Sequence, residues 1–173
     1  EGNEHSGKNT HELFELYNTK LEEHLIGLQQ SPASRTAINQ LRMDMSEECK
    51  KFAKNESGIY SLSIPTGGGK TLASLRYALN HALEHGKERI IYVIPYTSII
   101  DQNAKLVKAI LDDDTNIVEH HSNVDFGSSN EKELDDELDE MLMNKREKIR
   151  LATDNWDAPI IFTTMVQYLN AFY

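Results

Sequence analysis

The run Pro65-Thr66-Gly67-Gly68-Gly69-Lys70-Thr71 constrains this chain more than any other feature, because of what stands on either side of it. Before it, Tyr60, Leu62 and Ile64 alternate with Ser61 and Ser63, the period-two pattern of a short strand. After it, Leu72, Leu75, Leu79 and Leu83 recur at helical spacing, and Gly86 stands where a left-handed helix stop belongs. Strand, glycine-rich turn and helix together form the setting in which Gly-Lys-Thr cradles phosphate. Glycines reach the positive φ values that aim successive N–H groups at one point, and without side chains they let phosphate oxygens approach. Thr66, Gly67, Gly68, Gly69, Lys70 and Thr71 are therefore the expected nucleotide-binding loop. Lys70 is placed to neutralise β- and γ-phosphate charge and the Thr71 hydroxyl to hold Mg²⁺, which makes ATP and Mg²⁺ the expected cofactors. A plain glycine turn before a helix leaves the Lys and the Thr unexplained.

The remaining pattern extends this unit into an α/β fold. Leu13, Tyr17, Leu21, Leu25 and Leu28 mark one helix over residues 10–30, ended by Ser31-Pro32. Ile38, Leu41, Met45, Cys49 and Phe52 mark a second over residues 34–54, with Cys49 in the core. Residues 89–94 form a nearly continuous apolar run bounded by Gly86 and Pro95, as in parallel strands covered on both faces. A helix over 98–111, strands at 117–120 and 160–162, and a short helix through Val166 and Leu169 complete the alternation. Such alternation means a parallel sheet flanked by helices. Ser128 and Glu131 make a capping box for a long helix over 128–150, with acids first and Lys145, Arg146, Lys148 and Arg150 last, in accord with the helix dipole. That helix reads either as a solvated surface or as a partner-docking face.

Charge and composition exclude several classes. Residues 112–140 hold 12 acidic side chains and one basic, Lys132, so this stretch accounts for the whole net charge of −10 and the rest is close to neutral. The basic stripe that usually marks nucleic-acid binding is absent, and any such contact must rest on hydroxyls and backbone amides. The single cysteine excludes an internal disulfide and a cysteine-built zinc site. No apolar run approaches a membrane span and no signal peptide opens the chain, so a cytoplasmic location is expected. His81 and His85 share a helix face four residues apart, but Ala82 stands where a zinc protease needs Glu, so they read as packing or surface groups. Trp156 reads as a packing anchor rather than a base-stacking platform.

Further motifs follow the loop in order. A small residue is usual six positions before the Lys of a phosphate loop, and here Ile64 occupies it; Pro-Thr-Gly-x-Gly-Lys-Thr is instead the form found in superfamily 2 helicases and translocases. Val93-Ile94-Pro95-Tyr96-Thr97-Ser98-Ile99-Ile100-Asp101-Gln102 closes the second strand and looks like helicase motif Ia, although Thr97 or Ser98 also reads as a simple helix N-cap. His120-His121-Ser122-Asn123 follows the third strand, and Asp157-Ala158-Pro159-Ile160-Ile161-Phe162-Thr163-Thr164 closes the fourth. Taken together over residues 35–173, these segments resemble the CRISPR-associated helicase-nuclease of type I interference systems.

The resemblance implies the first RecA-like lobe of a helicase, incomplete here, over residues 55–173, preceded by a helical lead-in over 1–54. It implies a DNA-dependent ATPase that moves 3′ to 5′ on single-stranded DNA contacted by Pro95, Tyr96, Thr97, Ser98, Gln102, His121, Ser122, Thr163 and Thr164. It also implies recruitment by an RNA-guided type I surveillance complex (Cascade) and an HD-type nuclease domain in the same or a companion chain; no His-Asp dipeptide occurs in this one. Gln40 is the implied adenine contact. The family's Asp-Glu-x-His/Asp motif is expected downstream of Thr164 and its phosphate-stabilising arginines in a second lobe, so the chain reads as a fragment that binds nucleotide and turns it over slowly. The alternatives are another superfamily 2 motor such as a restriction-enzyme translocase, a nucleotide-gated interaction module, and a small-molecule kinase, which would need an Arg-rich lid.

Overall fold

A computed structural model of the chain describes residues 3–121 and 156–171. Ser122 and the expected acidic helix over 128–150 lie outside the described residues. The chain divides into two compact units, with the boundary after Ile90.

The first unit is helical. Helix α1 (Asn3–Gln30) is followed by a 3₁₀ turn (Pro32–Arg35), α2 (Ala37–Phe52) and α3 (Lys70–His85). Pro32 starts the turn without needing an N–H, and Thr36, at φ −73 and ψ 143, restarts the chain as the N-cap of α2. The second helix therefore begins at Ala37, three residues after the expected start at 34. Both α1 and α2 pack on α3. Phe14, Tyr17 and Leu21 of α1 and Leu75 and Leu79 of α3 are fully buried, each contributing about 1.5–3 kcal/mol by leaving water. Gly86 ends α3 at φ 61, its N–H donating to Ala82 O. Cys49 is buried as expected, and burial pushes its thiol up; Ile38, Leu41 and Phe52 stay largely exposed, so the apolar period of α2 marks a helix more faithfully than it marks a buried face.

An ion cluster centred on the buried Arg76, with Glu22 partly buried and Glu47 half-exposed, ties the three helices together. Arg76 of α3 donates to both oxygens of Glu22 on α1 at 2.6 and 2.7 Å, pairs with Glu47 of α2 at 2.9 Å and reaches Ser46, while Lys50 lies 3.2 Å from Glu22. Burial pushes the Glu22 carboxyl up, but hydrogen bonds and charge from Arg76 and Lys50 together outweigh it and hold the group below the usual carboxylate range. A depressed folded-state pKa contributes stability that is present above the unfolded value near 4.5 and lost as pH falls through the folded value. Glu22→Gln should therefore lower stability by about 2 kcal/mol at neutral pH, with the gap from wild type closing below pH 4.5. Thermal midpoints recorded across that range check this, and a gap independent of pH would contradict it.

The expected strand at Tyr60, Leu62 and Ile64 does not form. Ile64 is spent on a cluster with Cys49 and Ala73, flanked by Met45 and Tyr77, and Tyr60 meets Phe52 edge-on at 4.9 Å. Of the alternating side chains Ile64 alone is buried, Tyr60 and Leu62 stay about half-exposed, and without a hydrogen-bonded neighbour the segment builds no ladder.

The second unit holds the sheet. Strands β1 (Ile90–Val93), β2 (Ile117–His120) and β3 (Ile160–Thr163) lie in the order β1-β3-β2, with β2 and β3 parallel in the register Ile117↔Ile160 to His120↔Thr163. Helix α4 (Thr97–Leu111) connects β1 to β2 and buries Ile100, Ala104, Val107 and Leu111; α5 (Met165–Asn170) follows β3. Every residue of β3 is buried, as its continuous apolar run requires of a central strand. This is a small parallel sheet flanked by helices, a partial RecA-like lobe with helices before it. Among the described residues no helix is long and apolar enough to cross a membrane.

Candidate functional site

The glycine run forms the loop its spacing implies. Gly67 and Gly69 adopt φ 78 and 79, a region closed to most side chains, and the Gly68 N–H donates to Pro65 O at 2.9 Å. Gly69 is the N-cap of α3 and accepts from the Ala73 N–H at 3.1 Å, so the first N–H groups of the helix have no carbonyl of an earlier turn to meet. Lys70 is exposed and makes no hydrogen bond or ion pair among the described residues. Beside the loop opens a cavity of about 640 Å³, lined by Thr66, Gly67, Gly69, Lys70 and Thr71 of the loop and by Leu25, Leu28, Asn39 and Arg42 of the helices. A lining that combines cationic and N–H groups with leucines suits an anion attached to a flat apolar group.

Two residues depart from expectation. Gly68 does not line the cavity; it is buried beneath the loop, where a Cβ would stand 2.5 Å from Ile64 Cγ2 and 2.9 Å from Pro65 O. Gln40, the implied adenine contact, is exposed and also outside the lining, where its neighbour Asn39, about 100° round the helix, stands instead. Arg42 was not legible in the sequence. Its Nε donates to Gly67 O at 2.8 Å across 25 residues of chain, and no local pattern marks such a contact.

Of the residues expected to meet single-stranded DNA, the described ones lie in the second unit at the carboxyl ends of the strands or in the first turns of α4, by the edge at which ligands bind in parallel sheets. The Ile94 N–H donates to Thr163 O at 2.8 Å and the Thr163 hydroxyl donates to His120 O at 2.9 Å, so the three strand ends are held side by side. Pro95, Tyr96, Ser98 and Gln102 are exposed there and Thr97 is half-buried. Tyr96, not Thr97 or Ser98, is the N-cap of α4, and no side chain caps that helix. Thr163 is fully buried and His121 nearly so, its Nε2 donating to Asp101 Oδ1 at 2.9 Å; these two side chains hold the edge together and do not face outward. The Thr164 hydroxyl accepts from Gln167 N–H as the cap of α5.

Asp101, Glu119 and His121 bring one ligand atom each within 4.8 Å, but Lys108 Nζ sits 2.6 Å from Glu119 and already supplies positive charge. His81 and His85 are packing groups, as expected: the His81 ring stacks on Tyr77 at 5.3 Å and its Nδ1 donates to Ala53 O. Trp156 likewise packs, against Val118, Ala158 and Ile161.

No curated protein matches the chain. The family model described as type III restriction enzyme, res subunit, matches residues 28–172, a span that takes in the loop, all of the cavity lining but Leu25, and all three strands. The model is of a superfamily 2 helicase-like region, which agrees with the loop form Pro-Thr-Gly-x-Gly-Lys-Thr and with the parallel sheet. The chain therefore belongs to the family of the type III restriction enzyme res subunit.

Proposed function

We propose that this chain is the nucleotide-binding part of an ATP-driven motor that moves along single-stranded DNA. The observation that carries the reading is the loop itself: an uncommitted Lys70 and the Thr71 hydroxyl at the start of α3, beside a cavity large enough for a nucleotide, in a chain of a superfamily 2 helicase-like family. Gly67, Gly69 and the N–H groups opening α3 would cradle the phosphates, Lys70 would neutralise them, Thr71 would hold Mg²⁺, and Leu25 and Leu28 would face the base. Bound ATP with Mg²⁺ supplies the phosphoryl group whose transfer drives movement. The exposed Pro95, Tyr96, Ser98 and Gln102 would meet the DNA backbone, with N–H and hydroxyl donors rather than a cationic stripe.

The quoted motifs favour work in type I CRISPR interference, in the cytoplasm, with a surveillance complex loading the DNA strand and an HD-type nuclease cutting it. The family match favours a second setting, a restriction-enzyme translocase. ATP hydrolysis by the native gene product, measured with single-stranded DNA, duplex DNA and single-stranded RNA, tests the shared reading. Stimulation several-fold by single-stranded DNA is expected. ATP binding with no hydrolysis on any nucleic acid would replace the motor by a nucleotide-gated interaction module. Loading by a type I surveillance complex, or its failure, separates the two settings.

A further inference from the structure

The conformation of the glycine loop depends on one peptide unit, and both of its ends are held. The peptide between Gly67 and Gly68 carries the Gly67 carbonyl and the Gly68 N–H. The carbonyl accepts from Arg42 Nε at 2.8 Å and the N–H donates to Pro65 O at 2.9 Å. A peptide between two glycines is otherwise among the easiest in a chain to flip, since neither neighbour has a Cβ to obstruct the rotation. A flip would turn the Gly67 carbonyl and its partial negative charge around and break both hydrogen bonds at once.

Arg42 is itself held. Its Nη1 donates to Asn39 Oδ1 at 2.7 Å, and Asn39 Nδ2 donates to Ala33 O at 2.7 Å in the 3₁₀ turn. The chain of bonds thus runs from the turn through Asn39 and Arg42 to the loop. Arg76, the other arginine at the cavity, is committed to Glu22 and Glu47, so Arg42 and Lys70 are the cations available there among the described residues. The stem of Arg42 also lies against Gly69, where an added Cβ would stand 3.6 Å from Arg42 Cγ.

We infer that Arg42 is a positioning residue for the phosphate loop: it locks the Gly67–Gly68 peptide so that the loop holds its phosphate-binding form before nucleotide arrives, with Asn39 aiming the guanidinium. This rests on the nucleotide-binding reading above. The role needs the planar fork, because Nε and Nη1 bond to two different acceptors at fixed angles; a lysine ammonium keeps the charge and loses the fork.

Three variants test the inference against wild type and Lys70→Ala, with ATP affinity and amide hydrogen exchange as readouts. Arg42 is exposed, so its replacement should leave the helices intact. Arg42→Ala is expected to weaken ATP binding about 10-fold or more, the usual range for a hydrogen bond to a charged group, and Asn39→Ala about threefold. Arg42→Lys should stay within about threefold of Arg42→Ala, because charge alone does not fix the peptide. In the nucleotide-free protein, the Gly68 amide should exchange roughly 10-fold faster in Arg42→Ala while the amides of Leu75 and Leu79 in α3 keep their rates, a contrast that general loosening cannot produce. Full rescue by Arg42→Lys, an unchanged Gly68 exchange rate, or wild-type ATP affinity in Arg42→Ala would each overturn the inference. Failure of wild-type protein to bind ATP, or equal binding by Lys70→Ala, would overturn the nucleotide reading instead, and the exchange measurement would still decide whether Arg42 locks the peptide.

Discussion

Lys70→Ala should weaken ATP binding by about 10- to 100-fold and leave the thermal midpoint within about a degree of wild type. The two halves of this expectation come from the same observation. Lys70 is exposed at the first position of α3 and has no partner among the described residues, so its removal breaks nothing in the folded protein. Its ammonium is at the same time a flexible cation lining a cavity whose other loop groups are neutral N–H donors and the hydroxyls of Thr66 and Thr71. Replacing it removes the charge-assisted contact that a polyphosphate chain needs most. Calorimetric titration with ATP, beside thermal melts of both proteins, reads both quantities. Unchanged affinity would mean that the glycine run is a turn and not a phosphate loop.

Gly68→Ala should damage stability and binding together. The added methyl would lie 2.5 Å from Ile64 Cγ2, 2.9 Å from Pro65 O and 3.3 Å from Met45 Cε. Met45 can swing away, but Ile64 is anchored with Cys49 and Ala73, and Pro65 O is the acceptor of the Gly68 N–H. The loop can relieve the overlap only by breaking that hydrogen bond or by lifting off the cluster. Overpacking of this kind destabilises by about 1–3 kcal/mol, and the melt should shift by roughly 4–8 °C for each kcal/mol in a unit of this size. Gly67→Ala is the control: nothing lies closer than 3.9 Å, so it suffers only the backbone strain of φ 78, about 1–2 kcal/mol. A Gly68→Ala protein that melts and binds ATP like wild type would show that the loop does not press on Ile64.

Expectation and structure part company along a physical line. The limits of α3 were legible because both are local: a glycine run opens the helix, and Gly86 in the left-handed region closes it. The strand β3 was legible as a short apolar run, and it proved fully buried because such a run has no polar face to turn outward. The same local reasoning failed at Tyr60, Leu62 and Ile64, where the alternation is real but Ile64 packs among helical residues and no strand lies alongside. A strand is a property of a pair, and a single segment carries no information about its partner.

The site divides in the same way. The loop chemistry of Gly67, Gly69, Lys70 and Thr71 is written in consecutive residues, since phosphate binding needs backbone N–H groups next to one another. The orientation of side chains at the sheet edge is not: Thr163 and His121 carry suitable groups, yet they turn inward to His120 O and Asp101, acceptors supplied by other elements. The contact of Arg42 with Gly67 O, between residues 25 apart, arises only when α2 comes to lie beside the loop. By itself the sequence determined the loop, its helix and the α/β class, because each follows from short-range backbone preference and hydrophobic period. Tertiary structure alone decided which apolar faces are buried, which hydroxyls face outward and which arginine holds the loop, because burial and hydrogen-bond partners belong to pairs of elements that the chain brings together only on folding.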